Sequence, residues 1–355
     1  MGDPKETIDD LNILKGVDGN NMLALVNKLP DTMEEGWALA EAADIPKSGK
    51  IGSLVISGMG GSAISGDIVS LILRNKADFP VFVNRNYSCP KFVGASTLFI
   101  AVSYSGNTEE TLFAFKEAVQ KGAKIISISS GGELKELSKK NKVPFIEVPK
   151  GLPPRAALGY LLSSILNALV KSGNLNIKGD FEETKKLLKQ LSKKYGVASG
   201  LRENEAKQMA VRLHGKIPVI IASDGTTSAA GLRWKTQLNE NSKMTAILSI
   251  FPELDHNDLV NYSFLKPGGH NYSFVVLRDD GDLERMKKRI EVTKSLISGN
   301  VGGIVEVWSQ GESVLARTMS LIFFGDYLSV YLAVLSGIDP TPVEIIEKLK
   351  KELAR

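Results

Sequence analysis

The stretch LVISGMGGSA, residues 54–63, decides the fold. Its first residues are apolar and β-branched, as in a buried strand, and the glycines and serine that follow are typical of a sharp turn into a helix. Similar strand-like runs recur, most of them separated by amphipathic helical patterns, at Pro80–Asn84, Leu98–Ser103, Lys124–Ser129 and Val143–Val148. This alternation predicts a mostly parallel sheet with helices on both faces.

The alternation is repeated in the second half of the chain. Four further strands are predicted at Ile217–Ala222, Met244–Ile250, Tyr272–Leu277 and Ile304–Trp308. Helical patterns lie before and after them, at Ala156–Lys171, Phe181–Tyr195, Glu203–His214, Leu321–Leu335 and Val343–Leu353. The sequence therefore predicts an α/β protein of two three-layer αβα sandwich domains with mostly parallel sheets, plus N-terminal and C-terminal helices.

Two boundaries follow from local signals. The segment VPKGLPPR, residues 148–155, cannot continue a helix or a central strand, so we expect one domain over residues 1–152 and another over 153–355. Two short helices are expected in the first fifty residues, the second opened by a capping box with Asp31 as the N-cap and Glu34 three residues later.

Composition excludes several classes of protein. The 355 residues carry 44 Lys+Arg and 40 Asp+Glu, a formal charge of +4 that gives no argument for nucleic-acid or membrane binding. The single cysteine, Cys89, cannot form an intrachain disulfide, which favours the cytoplasm. No signal peptide is recognised, no apolar run is expected to reach the ~18 to 20 residues of a membrane span, and no motif predicts a metal or a nucleotide cofactor.

Two polar turns are candidates for an anion site. Gly58 to Ser62 form the first turn, and SYSGNT, residues 103–108, follows the third predicted strand of the same sheet. Glycines permit close approach of the backbone, and a helix N-terminus offers N–H groups to an anion. A simple turn or N-cap would use the same residue types. Two such turns at one sheet edge favour a phosphate held by Gly60, Gly61, Ser62, Ser103, Ser105 and Thr108.

These two turns resemble the sugar isomerase (SIS) domain, whose Ser- and Thr-rich loops hold the phosphate of phosphosugars. Further segments resemble one branch of that superfamily, the bifunctional phosphoglucose/phosphomannose isomerases. They are Pro154-Arg155, the run RWKTQLNENSK at residues 233–243, His256-Asn257, and the tail DPTPV at 339–343 followed by Lys348. The resemblance implies an enzyme that interconverts glucose 6-phosphate and mannose 6-phosphate with fructose 6-phosphate through a cis-enediol.

The resemblance also implies roles for single residues. Glu240 would be the base that moves a proton between C2 and C1, and His256, contributed by the partner subunit of a homodimer, would open the sugar ring. Arg155 would stabilise the enediolate, Lys348 would assist ring opening, and the small Thr341 would let one base serve both C2 epimers. No cofactor is implied.

Two alternatives remain open. Another SIS-type reaction, such as that of an amidotransferase's isomerase half or a heptose-phosphate isomerase, would use the same phosphate loops. A non-catalytic phosphosugar sensor would bind the same ligands without turnover. Without the motif, Glu240, His256 and Lys348 would be interpreted as surface charges, because those residue types usually lie in solvent.

Overall fold

The computed structural model describes residues 3–265 and 268–353. Four helices precede the first strand, and Leu29 begins the last of them, with Pro30 in its first turn. They are α1 (Pro4–Thr7), α2 (Leu11–Val17), α3 (Met22–Asn27) and α4 (Leu29–Ala42). The predicted capping box is therefore wrong: Asp31 lies inside α4, and the N-cap position is Lys28. Proline is tolerated in a first helical turn because its missing N–H would lack an intrahelical partner there anyway.

The next elements alternate between strand and helix, except that β3 follows β2 with no helix between them. They are β1 (Ser53–Ser57), α5 (Gly60–Leu73), β2 (Val81–Asn84), β3 (Thr97–Val102), α6 (Glu109–Gln120), β4 (Lys124–Ser129), α7 (Gly132–Lys140) and β5 (Phe145–Glu147). All five strands are parallel, in the order β2-β1-β3-β4-β5. Ile56 of β1 is paired with Val83 on one side and Ile100 on the other. Strands β1 and β3 are buried throughout, as expected for central strands covered on both faces.

A second series follows a 3₁₀ turn at Pro154–Ala157 and three helices. The elements are α8 (Leu158–Ser172), α9 (Lys178–Tyr195), α10 (Glu205–Leu213), β6 (Ile217–Ser223), α11 (Ser228–Glu240), β7 (Ile247–Phe251), α12 (Asp258–Ser263), β8 (Tyr272–Arg278), α13 (Glu284–Ile297), β9 (Ile304–Trp308), α14 (Val314–Leu335) and α15 (Glu344–Leu353). The second sheet is also parallel, in the order β7-β6-β8-β9. The predicted α/β class with two parallel sheets is confirmed.

The chain forms two compact units whose limits differ from the expected division at residue 152. The first-sheet unit contains residues 28–189 and 311–316, and the second-sheet unit contains the described residues of 1–27, 190–310 and 317–355. Helix α8 belongs to the first-sheet unit because it packs against α4 and α5. The close approach is visible at Gly36 of α4, where a β-carbon would lie 2.7 Å from the Tyr160 carbonyl oxygen of α8. A Pro/Gly-rich segment thus marks a turn here, and not the edge of the unit.

Helix α14, which belongs to the second-sheet unit from residue 317 onward, is a core helix there. Among the described helices, only α14 is long and apolar enough to cross a membrane, which corrects the expectation that no apolar run reaches this length. Every residue of its apolar window is buried inside the protein, however, so the same composition is that of a core helix. Its one buried acid, Asp326, is paired with Arg233 of α11.

Candidate active site

The N-terminus of α5 lies at the carboxyl edge of the first sheet. Gly58 directly follows β1 and packs closely against the end of β3, since a β-carbon on Gly58 would lie 2.8 Å from the Val102 carbonyl oxygen. Gly60 has a φ of +50°, which glycine adopts without strain, and Ser62 in the first turn is 6% exposed. The N-cap, Met59, provides no side-chain hydrogen bond to this helix. Because Ser62 donates its N–H to the Met59 carbonyl at 3.0 Å, the N–H groups left for a ligand or water are those of Gly60 and Gly61.

The second polar turn is braced by its own serine. Ser103 is fully buried, and its hydroxyl lies 2.8 Å from the Thr108 hydroxyl. The same Ser103 oxygen accepts the N–H of Gly106 at 3.1 Å and the N–H of Thr108 at 3.3 Å. Ser105, in contrast, is exposed. Ser103 and Thr108 thus shape the turn, whereas Ser105 and the N-terminus of α6, which also has no side-chain cap, face outward.

Tyr104 connects this turn to the loop before Arg155. Its hydroxyl donates to the Pro149 carbonyl at 2.9 Å and accepts the Leu152 N–H at 2.9 Å. Burial raises the pKa of the Tyr104 phenol, so the hydroxyl stays protonated and keeps donating. The sequence analysis did not assign Tyr104 a role, because a hydrogen bond across 45 residues leaves no local signal.

Arg155 lies beside the first turn of α5. A β-carbon on Gly61 would lie 3.0 Å from the Pro154 carbonyl oxygen and 3.3 Å from the Arg155 α-carbon, and Arg155 is 3% exposed. Gly61 is therefore required for a close approach of two backbones. Within the first-sheet unit, Gly61 and Arg155 are therefore neighbours, and Tyr104 ties the 103–108 turn to the loop before Arg155. The assignment of a phosphate to these residues stays a prediction.

Glu240 is the last residue of α11, and the RWKTQLNENSK run around it fixes that helix on α14. Arg233 makes a two-pronged ion pair with Asp326 at 2.9 Å for both contacts, and the Trp234 indole donates to the Leu321 carbonyl at 2.7 Å. Beyond the helix end, Asn241 donates to the Ser329 hydroxyl at 2.9 Å. Most of this motif is therefore structural, and it holds the half-buried Glu240 in place.

Lys243 joins the end of α11 to the segment before Thr341. Its ammonium group donates to the Glu240 carbonyl at 2.8 Å and to the Pro340 carbonyl at 2.9 Å. Asp339 in turn accepts the Thr341 N–H at 2.9 Å. The backbones of Glu240 and Thr341 are therefore held in one region of the second-sheet unit. Lys243 belongs to the quoted motif, but no local pattern signals this link.

His256 ends a 3₁₀ turn at Glu253–His256 and is exposed. The turn is fixed by its neighbour Asp255, which accepts hydrogen bonds from Arg289 at 2.6 Å and Thr293 at 2.8 Å, both on α13. The imidazole itself makes no hydrogen bond to the described residues. A histidine presented this way on a fixed turn is available to a ligand or to another chain.

Lys348 lies on α15 and is exposed. No residue of α15, which is described from Glu344 to Leu353, is buried, and apolar Ile345, Leu349 and Leu353 are 75%, 58% and 63% exposed along one side of it. No hydrogen bond or ion pair joins the Lys348 ammonium to another residue in the part of the chain that the structure describes. The place of Lys348 in an active site therefore stays a prediction.

The described residues contain no group of three or more His, Cys, Asp or Glu side chains that could hold a metal ion. A cavity of about 480 Å³ in the second-sheet unit is lined by none of the predicted site residues. This cavity therefore does not mark the predicted site.

Comparison with known proteins adds the remaining evidence. Residues 50–143 match the SIS domain, and residues 202–353 match the bacterial phospho-glucose isomerase C-terminal SIS domain. A protein of Caldicellulosiruptor bescii, named bifunctional phosphoglucose/phosphomannose isomerase, is 42% identical over 94% of this chain and 99% of its own length. The chain belongs to the bifunctional phosphoglucose/phosphomannose isomerase family. Six more relatives of that name are 27% to 42% identical to it.

Two further comparisons concern proteins that do not carry this name. A protein of Sulfolobus acidocaldarius named D-glucosamine-6-phosphate 4-epimerase is 30% identical over 90% of this chain and 94% of its own length. The crystal structure of a hypothetical protein from Thermus thermophilus has a TM-score of 0.72 at 15% identity, covering 99% of this chain and 94% of that one. At this identity, the second similarity concerns the fold alone.

Proposed function

We propose that this chain is an aldose–ketose isomerase that interconverts glucose 6-phosphate and mannose 6-phosphate with fructose 6-phosphate. The observation that carries the proposal is the 42% identity to a bifunctional phosphoglucose/phosphomannose isomerase over 99% of that relative's length. Two uncapped helix N-termini at one sheet edge, beside Arg155, support phosphate binding in the first-sheet unit.

The proposed chemistry gives each group one task. The Gly60–Ser62 and 103–108 turns hold the phosphate. Glu240 takes the proton from C2 of the open-chain aldose and returns it to C1, so charge develops on the enediolate oxygens, which Arg155 stabilises. His256 and Lys348 move protons during ring opening, and Thr341 leaves room for both C2 epimers. No metal or cofactor enters these steps.

Replacing the base is the direct test. Glu240→Gln keeps the size of the side chain but cannot accept the proton, so we expect kcat to fall about 10²-fold or more, with phosphosugar affinity nearly unchanged. Glu284→Gln is the matched control, because that carboxylate lies 89% exposed on α13. Activity is measured as fructose 6-phosphate formed from each aldose phosphate in excess chelator. Normal turnover by Glu240→Gln would exclude Glu240 as the base.

Product analysis separates the alternatives. Phosphosugar binding with no product from either aldose phosphate would support a non-catalytic sensor. A second candidate reaction is 4-epimerisation of glucosamine 6-phosphate, because a relative named D-glucosamine-6-phosphate 4-epimerase is 30% identical to this chain. Incubation with glucosamine 6-phosphate, followed by separation of the 4-epimers, decides between the two activities.

We further propose that the protein is cytoplasmic and that it forms a homodimer in which His256 acts on the substrate of the partner subunit. The exposure of His256 and its lack of a hydrogen bond to the described residues support a role towards another chain. The test mixes two inactive variants, Glu240→Gln and His256→Asn. In a mixed two-fold dimer, one site receives both native residues, so random mixing restores roughly a quarter of wild-type activity. If both residues act within one chain, mixing restores none.

A further inference from the structure

The second-sheet unit contains a cavity that no step of the proposed reaction uses. It has a volume of about 480 Å³ and lies between the end of α9, α10, the edge strand β9 and α14. Strand β9 is an edge strand of the sheet that the structure describes, and its residues Glu306, Val307 and Trp308 line the cavity. A cavity of this size suits a small organic ligand.

Aromatic rings form the apolar part of the cavity. Tyr195 and Phe324 are buried and meet edge to face, with centroids 5.2 Å apart. Trp308 is 42% exposed, and the Arg278 guanidinium covers one side of its ring at 4.6 Å from the centroid. The rest of the indole is therefore available to a flat ligand ring. Such a ring would gain both burial and a favourable aromatic contact.

The polar groups that line the cavity are largely committed to partners. The Gln310 side chain donates to the Tyr195 hydroxyl at 3.0 Å, and the Gln310 N–H donates to the Ser320 hydroxyl at 2.8 Å. The Gln208 side chain donates to the Leu201 carbonyl at 3.0 Å. A ligand covered with hydroxyl groups, such as a sugar, would lose hydrogen bonds to water here without replacing them.

One lining charge is not neutralised. Lys194 pairs with Glu205 at 2.9 Å, and Glu306 accepts from Lys294 at 2.7 Å and also pairs with Arg278. Arg212, exposed near the end of α10, makes no ion pair within the described part of the chain. The cavity therefore presents one uncompensated guanidinium, which favours a carboxylate or a phosphate.

We infer that this cavity binds a small anion with a flat aromatic ring, which stacks against Trp308 and places its charge on Arg212. Its lining residues include none of the residues of the phosphate turns. It is a ligand site in addition to the one proposed for phosphosugars.

Adenosine monophosphate is a suitable probe because it combines a flat ring with a phosphate. Calorimetric titration of the full chain is done with glucose 6-phosphate in excess, so that the phosphosugar site is filled. We expect saturable binding and a change in tryptophan fluorescence that is lost in Trp308→Leu. Adenosine, which lacks the charge, and ribose 5-phosphate, which lacks the ring, should bind more weakly.

Variants locate the binding. Arg212→Gln should weaken the binding of adenosine monophosphate about tenfold or more and leave the binding of adenosine unchanged, because only the charged hydrogen bond is lost. Trp308→Leu should weaken the binding of both ligands. Lys193→Gln, an exposed lysine of α9 that does not line the cavity, is the control and should change neither. Absence of saturable binding of the monophosphate, or binding that ignores both Arg212→Gln and Trp308→Leu, would overturn the inference.

Discussion

Gly106 offers a test of how the second phosphate turn is built. Its φ is +73°, and a β-carbon there would lie 1.8 Å from the Gly131 carbonyl oxygen. Alanine at this position therefore meets two costs: about 1–2 kcal/mol for the left-handed conformation and about 1–3 kcal/mol for displacing a packed backbone. We expect Gly106→Ala to lower the free energy of unfolding by about 2–5 kcal/mol in total.

Gly122 provides a matched control in the same unit. Its φ is +71°, but a β-carbon there would have no heavy atom within 4 Å. Gly122→Ala should therefore cost only the conformational part, about 1–2 kcal/mol. Urea unfolding followed by circular dichroism measures both variants, and the difference between them isolates the contact with Gly131.

The same substitution has a functional readout. Because Gly106 donates its N–H to the Ser103 hydroxyl at 3.1 Å, displacing it should distort the turn that carries Ser105 and Thr108. The KM for phosphosugars should rise for Gly106→Ala and stay near wild type for Gly122→Ala. Equal loss of stability in the two variants would refute the packing argument, and an unchanged KM would refute the role of the turn.

Three further expectations concern single side chains. Tyr104→Phe removes the hydroxyl shared by Pro149 and Leu152, so unfolding should become easier by about 1–3 kcal/mol and kcat should fall more than KM rises, as measured by urea unfolding and steady-state rates. Burial raises the pKa of Cys89 to about 11, so its alkylation by iodoacetamide at pH 8 should be about a hundredfold slower than that of an exposed cysteine; an equal rate would contradict the burial. Burial also raises the pKa of Asp282 above its ordinary 3.8, so the native state favours the protonated form and loses stability as pH rises from about 4 through the raised pKa. Asp282→Asn should remove that loss, so its unfolding free energy relative to wild type should increase between pH 4 and 7; a constant difference would show that Asp282 is not responsible.

Local sequence patterns predicted most elements of the fold. Strands Lys124–Ser129 and Ile304–Trp308 have the predicted bounds, because short β-branched runs between turn residues carry a strong local signal. The capping box at Asp31 failed because Pro30 already allowed the helix to start at Leu29. The limits of the units also differed, since they depend on the packing of α8 against α4, which no local pattern records.

The candidate site was predictable only in part. The glycine- and serine-rich turns are local signals, and parallel strands necessarily bring them to one edge. The contacts that hold the candidate site residues in place join distant parts of the chain and leave no local signal. Tyr104 binds Pro149 across 45 residues, Lys243 binds Pro340 across 97, and Arg233 binds Asp326 across 93. Sequence reasoning from one chain assigns a role to Glu240 but cannot find the contacts that hold it.

The Lys243 link has a consequence for how such a protein changes through evolution. Together with the Arg233–Asp326 pair, the Lys243 ammonium joins chain positions 93 and 97 residues apart. Changes of length in the exposed connections between those positions should therefore disturb the placement of Glu240 against Thr341 less than loss of the Lys243 ammonium does.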